Sequence, residues 1–223
     1  MKRLLNKDKI TFFQDSILKW YDVNGRKFPW RKSRLSNYKI IISEVLLQRT
    51  KAETVSKFYE SFIKLFPTWR TLASASISKI ENSLKNIGLQ KQRASRLKKL
   101  SVIMADRNGR LPKTYEDLIE LPFFGQYLAN AIMLQVYKQP YPLLDVNMSR
   151  VLERFFGKRK LADIRYDPYL QSLANIVVSH SKSRHMNWGI LDFSARECLP
   201  KKPKCGSCIL YDQCKYELKD WNA

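Results

Sequence analysis

The sequence is poor in glycine, in acidic residues and in long apolar runs, and most of it holds no cysteine. Seven glycines in 223 residues are too few for numerous tight hairpins, and alternating apolar–polar patterns are scarce, which excludes a β-rich fold. No apolar run approaches the roughly 20 residues that cross a bilayer, which excludes a membrane-spanning protein. The start, Met1-Lys-Arg-Leu-Leu-Asn-Lys-Asp-Lys, lacks the apolar stretch of about 7–15 residues found in export signals, so a cytoplasmic protein is expected. Asp and Glu number 20 against 41 Lys and Arg, a formal net charge of +21. Solubility needs a magnitude of only roughly 2–8 in a small domain. Such an excess repels itself unless a polyanion neutralises it. Nucleic acid is the commonest such partner and an anionic membrane surface the next. Charge alone does not choose the chemistry. With 44% hydrophobic residues, the chain has the means to bury a core.

Helical periodicity is what the sequence has in quantity. Val55, Phe58, Tyr59, Phe62, Ile63 and Phe66 recur at three and four residues, a stripe on a helix that stops before Pro67. Leu97, Leu100, Ile103 and Met104 form a second such face. Ser78 with Glu81, and Thr114 with Asp117, have the spacing of capping boxes. Asp167-Pro168 reads as an N-cap followed by proline at the first helical position. The patterns predict helices over 10–21, 38–49, 52–66, 78–86, 90–107, 114–120, 126–137, 146–156, 168–180 and 186–196, and an all-α fold. No repeat or low-complexity linker divides the chain. His180 and His185 lie in no motif and are expected at the surface or in packing.

All four cysteines fall in the last 26 residues: Cys198, Cys205, Cys208 and Cys214, spaced C-x6-C-x2-C-x5-C. Disulfides do not suit a reducing compartment, so four thiolates point to a tetrahedral zinc site or a [4Fe–4S] cluster. Zinc sites usually show two close pairs; a single close pair with outer spacings of six and five suits the larger core better. Between the first two cysteines runs Leu199-Pro-Lys-Lys-Pro-Lys204. A loop pinned at both ends and carrying Lys201, Lys202 and Lys204 is a preorganised phosphate contact. The plainer alternative is a solvated basic loop beside a structural metal.

This cysteine spacing is the C-terminal signature of the endonuclease III branch of helix-hairpin-helix DNA glycosylases, and other segments resemble that family in the same order. Trp20-Tyr-Asp-Val-Asn-Gly-Arg-Lys-Phe-Pro-Trp-Arg31 and Ser43-Glu-Val-Leu-Leu-Gln-Arg-Thr50 are similar to the start of the MutY type. Leu121-Pro-Phe-Phe-Gly-Gln-Tyr127 stands where the hairpin L-P-G-V-G is expected, and Leu144-Asp145-Val-Asn147 resembles the L-D-x-N segment that carries the catalytic aspartate. The resemblance implies two helical domains with a DNA cleft between them. Residues 28–134 would form a six-helix barrel with the helix-hairpin-helix; residues 1–27 and 135–223 would form the cluster domain. It also implies a [4Fe–4S] cluster that is architectural, a monomer associated with the nucleoid, and double-stranded DNA with a mismatched or damaged base as partner.

The resemblance also assigns roles. A glycosylase flips its target nucleotide out of the stack and stabilises the positive charge that develops on the sugar. Asp145 is expected to supply that carboxylate and orient water, though an Asp there would also cap the next helix. Bifunctional members carry Lys at position 127 and form a Schiff base. Tyr127 is similar to the thymine-mismatch (Mig) type, so little or no AP-lyase activity is expected; the plainer reading is a core aromatic. Glu44 occupies the second carboxylate position, the general acid of adenine enzymes, or else pairs with an Arg. Gln48 and Arg49 are similar to residues that fill the gap left by the flipped base, with a solvated helix turn as the alternative.

Phe123, Phe124, Gly125 and Gln126 belong to the DNA-contacting hairpin. Phe123 replaces the family's first hairpin glycine, which predicts a reshaped turn, a weaker phosphate grip and an apolar wedge against DNA. Only nine residues follow Cys214, so the added domain with which MutY enzymes read 8-oxoguanine is not expected. The reading is therefore a monofunctional glycosylase removing thymine or uracil opposite guanine. The alternatives are a MutY-like glycosylase for adenine or another modified base, and a DNA protein that binds lesions without excising them.

Overall fold

A computed structural model describes residues 6–121 and 123–218. Among the described residues the regular structure is helical. The α-helices are α1 (Lys7–Asn24), α2 (Asn37–Leu47), α3 (Ala52–Leu65), α4 (Trp69–Ser74), α5 (Ile77–Ser83), α6 (Gln90–Asp106), α7 (Tyr115–Ile119), α8 (Gln126–Gln135), α9 (Val146–Phe156), α10 (Pro168–Val178) and α11 (Ser183–Arg196). The chain forms two compact units. One is Lys27–Tyr137; the other joins the chain up to Arg26 with everything from Lys138 onward.

In the 27–137 unit, α2 and α8 are the inner helices. Ile40, Ile41, Ile42, Val45 and Leu46 of α2 and Leu128 through Gln135 of α8 are all buried, as expected of helices covered on every side. The α3 stripe packs as its period predicts, with Val55, Tyr59, Phe62, Ile63 and Phe66 buried. Trp30 meets Tyr59 edge-on, and Tyr38 meets Trp69 likewise. Helix α4 is absent from the sequence reading because six residues are too few to display a period. Its start is a capping box between Thr68 and Thr71. The cap of α5 is Ser76 and not Ser78, its hydroxyl accepting from the Lys79 N–H. Thr114 does cap α7, accepting from the Asp117 N–H.

In the other unit α1 lies against α11. Their approach requires Gly189, where an added Cβ would stand 2.8 Å from Ile17 Cγ2. Asp192, fully buried on α11, accepts from the Arg26 backbone N–H at 2.8 Å and from Arg26 Nε at 2.7 Å. Phe13 of α1 packs on Phe155 and Phe156 of α9. Asp167 caps α10 as its Asp-Pro pair predicts, accepting from the Leu170 N–H. No described helix is long and apolar enough to cross a membrane.

Candidate functional site

Glu44 is the chemically unusual residue of the 27–137 unit. It sits on α2 with 3% of its surface exposed. Gln135 Nε2 donates to its Oε1, while Oε2 is buried with no hydrogen-bond partner among the described residues. Desolvation raises its pKa to about 7, against the opposing pull of the Gln135 hydrogen bond and the Arg31 charge. A buried carboxyl with a single protein donor and a pKa raised to about 7 keeps a large share of its proton near neutral pH, which makes it a competent acid. Tyr127, the second residue of α8, is half-buried.

The segment after α2 and the hairpin are both tied to α6. Arg93 is 6% exposed; its NH1 donates to Leu46 O, and its NH2 donates to Gln48 O and Thr50 Oγ1. Arg96 NH1 reaches Gln48 Oε1 at 3.5 Å, and its guanidinium lies 6.0 Å from the Phe123 ring centre. Gln48 and Arg49 thus leave α2 on a loop that a buried guanidinium fixes, with Arg49 exposed at φ +56°. Phe123 adopts φ +73°, the left-handed conformation that glycine favours, so the turn retains a glycine-type backbone with a Phe in it. The Phe123 ring is 39% exposed, whereas Phe124 is 4% exposed and its ring belongs to the core. What Phe124 can offer a partner is its backbone. Gly125 caps α8, and Gln126 opens it.

In the other unit Asp145 is the N-cap of α9. Oδ1 accepts from the Asn147 and Met148 N–H groups at 2.9 and 2.8 Å, and Oδ2 accepts from Asn147 Nδ2 at 2.7 Å. The carboxylate is half-buried and rigidly oriented. Arg150 NH1 donates to Asn147 Oδ1 at 3.2 Å, and Arg150 Nε donates to Cys198 O at 2.9 Å. A continuous chain of hydrogen bonds therefore runs from Asp145 to the first cysteine. Arg154, one turn further, donates to Leu199 O at 2.7 Å and Pro200 O at 3.0 Å, and reaches Cys198 Sγ at 3.4 Å. It also lies over the Tyr216 ring. Sequence reasoning missed Arg31, Gln135, Arg93, Arg96, Arg150 and Arg154. Arg150 and Arg154 had a signal: two guanidiniums four residues apart on one helix face, after a capping aspartate.

None of the four cysteines forms a disulfide; Cys198 follows the end of α11, and two single turns of 3-10 helix, Cys205–Ser207 and Tyr211–Gln213, place Cys205, Cys208 and Cys214. Burial pushes the Cys208 thiol up to about 11, and Cys214, Cys198 and Cys205 add to it through their charge. The four sulfurs are thus within electrostatic reach of one another. Yet no three His, Cys, Asp or Glu groups among the described residues converge tightly enough for one metal ion. Four soft donors brought into one short segment, with no carboxylate or imidazole among them, fit an iron–sulfur core. Lys201, Lys202 and Lys204 are exposed, and Lys204 Nζ lies 3.6 Å from Glu197 Oε2.

Residues 42–173 match the family model described as the HhH-GPD superfamily base excision DNA repair protein. The chain belongs to that superfamily. Residues 198–214 of this HhH-GPD protein match the iron-sulfur binding domain of endonuclease III, and its cofactor is a [4Fe–4S] cluster. It is 36% identical over 209 residues to a thymine/uracil-DNA glycosylase of Methanothermobacter thermautotrophicus, covering 93% of this chain and 94% of the relative. An adenine DNA glycosylase of Buchnera aphidicola subsp. Schizaphis graminum is 32% identical across 95% of this chain, which spans 62% of that relative. The solved structure of a thermostable thymine-DNA glycosylase superposes with a TM-score of 0.87 at 35% identity, over 95% of this chain and 98% of the other. This HhH-GPD chain is a DNA glycosylase of all-helical fold whose partner is DNA.

Proposed function

We propose that this protein hydrolyses the N-glycosidic bond of a thymine or uracil mispaired with guanine, acting as a monomer and without cutting the strand. The observation that carries the reading is the Asp145 carboxylate, oriented by three donors at the start of α9. Fixed negative charge is what a cationic sugar requires, and an oriented carboxylate oxygen can align the attacking water. The likeness to a thymine/uracil-DNA glycosylase over nearly the full length of both chains supports the choice of base. Glu44 supplies a proton or a polar wall to the departing base. Tyr127 contacts the extruded nucleotide, and its phenol forms no Schiff base with the sugar. Gln48 and Arg49 fill the vacated space, the hairpin Phe123–Gln126 holds the backbone, and Lys201, Lys202 and Lys204 add phosphate contacts. Cys198, Cys205, Cys208 and Cys214 hold the cluster, whose chemistry here is architectural.

The test is incubation with duplexes carrying T·G, U·G, A·G and A·8-oxoguanine, followed by alkali. Cleavage at T·G and U·G, and none before alkali, is expected. The neutral acid at Glu44 also suits a purine leaving group, the MutY-like reading. Cleavage confined to the adenine duplexes would establish that reading instead, and no product on any duplex would leave only a lesion-binding protein.

A further inference from the structure

Glycine and phenylalanine occupy the hairpin in the reverse of the order that the fold requires. Gly125 has φ −81° and ψ 175°, extended backbone open to any residue, and a Cβ built on it meets nothing within 4 Å. Neither conformation nor internal space asks for glycine there. Phe123 has φ +73°, where glycine would relieve strain and a bulky side chain is an outlier. The fold therefore explains neither residue. An external partner explains both: a bare Cα at position 125 lets a phosphate come close to the amides that open α8, and a ring at 123 touches the nucleotide beside it.

The ring's surroundings agree. It is 39% exposed, an unusual state for a Phe held in a strained turn. Arg96, itself exposed, sets its guanidinium 6.0 Å from the ring centre and reaches Gln48 Oε1 with NH1. Two further large residues, Arg49 and Leu89, adopt positive φ at the ends of the adjoining loops. Arg93 and Thr50 join those loops through Gln48 O and Ile87 O. Three of the six described non-glycine residues with positive φ thus lie in these loops and the hairpin, beside one exposed ring flanked by a cation.

We infer that Phe123 is an apolar DNA contact that packs its ring on the nucleotide next to the phosphate held by the hairpin, with Arg96 as the paired cation. This deepens the glycosylase reading and rests on it. The experiment measures affinity for a fluorescent duplex with a tetrahydrofuran abasic site opposite guanine, across a series of salt concentrations. Phe123→Gly and Phe123→Asn both suit positive φ and remove the ring; Phe123→Tyr retains it. The first two are expected to bind about 5- to 20-fold more weakly, the effect of a lost stacking contact, and Phe123→Tyr to stay within about twofold of the parent. The slope of log affinity against log salt should be unchanged, because no charge is removed. Parent-like affinity of Phe123→Gly overturns the inference. So does a shallower salt slope in that variant, which would make residue 123 a shaper of the phosphate grip. A parent protein that cleaves U·G while Phe123→Gly binds normally sinks this inference alone. A parent that neither cleaves U·G nor prefers the abasic duplex sinks the glycosylase reading.

Discussion

Glu44→Gln isolates the energetic cost of keeping a carboxyl in a dry helix interior. The substitution keeps the shape and an oxygen that can accept from Gln135, and it removes the titration. In the folded chain burial raises the Glu44 pKa from the ordinary 4.5 to about 7. Between those values the unfolded chain has lost the proton and the folded chain retains it, so the native state binds more protons and stability falls as pH rises. At roughly 1.4 kcal/mol per pH unit the loss is about 3 kcal/mol, complete by about pH 7 and level above it. The variant does not share that loss. It should therefore match the parent near pH 4.5 and exceed it by up to about 3 kcal/mol at pH 8. Urea unfolding followed by circular dichroism at half-unit steps from pH 4.5 to 8 measures the difference. If the gap between the two proteins stays constant across that range, Glu44 is ionised in the fold at all these pH values and its role as an acid falls. Base release in the parent should decline as pH rises through about 7, and in Glu44→Gln that limb should vanish together with most of the rate.

Asp145→Asn should abolish base release while leaving duplex affinity within a few-fold; Asn is also a good helix cap, so thermal stability should change by less than about 1 kcal/mol. Full residual activity would remove Asp145 from the mechanism. Tyr127→Lys should introduce strand nicking that borohydride traps as a covalent adduct, and failure to trap one means that residue 127 does not reach the sugar. Arg93→Met strands one buried and two part-buried acceptors and should destabilise the fold by about 2–4 kcal/mol in urea melts, with a loss under 1 kcal/mol counting against the clamp. Arg154→Met should speed iron release to a chelator, followed by the fading of visible absorbance, while an unchanged rate would show that the Cys198–Pro200 turn needs no clamp.

The parts of this molecule visible in sequence are those whose cause is local. The α3 stripe, the Asp167-Pro168 cap and the Thr114 cap depend on residues within a turn or two. Their burial and hydrogen bonds follow from that spacing. The Ser76 cap is obscured because Ser74, Ser76 and Ser78 alternate, and sequence spacing alone does not choose among three hydroxyls. The environment of Glu44 was hidden for a different reason. Its donor, Gln135, lies 91 residues away, and its proton is retained through burial that no local pattern records. Phe123 shows where local reading stops: a bulky residue carries no local sign that its backbone takes a φ that favours glycine.

The turn after Cys198 and the carboxylate proposed for catalysis, Asp145, are joined through one helix, which would give an architectural cluster a path to chemistry. Helix α9 starts at Asp145 and presents Arg150 and Arg154 to the turn that follows Cys198. Arg150 is shared between the two ends of that arrangement, donating to Asn147 Oδ1 on one side and to Cys198 O and Ser194 O on the other. Asn147 in turn donates to Asp145 Oδ2. If the Cys198 turn loosens, Arg150 loses the acceptors that fix its guanidinium, and Asn147 loses the contact that fixes its amide. Asp145 would still cap α9 through its Oδ1 bonds, so the helix would survive while the second carboxylate oxygen lost its orientation. Errors of about 1 Å in such a group cost on the order of 100-fold in rate. With Asp145 acting as proposed, a cluster that takes no part in bond breaking would still govern the rate through a chain of three side chains.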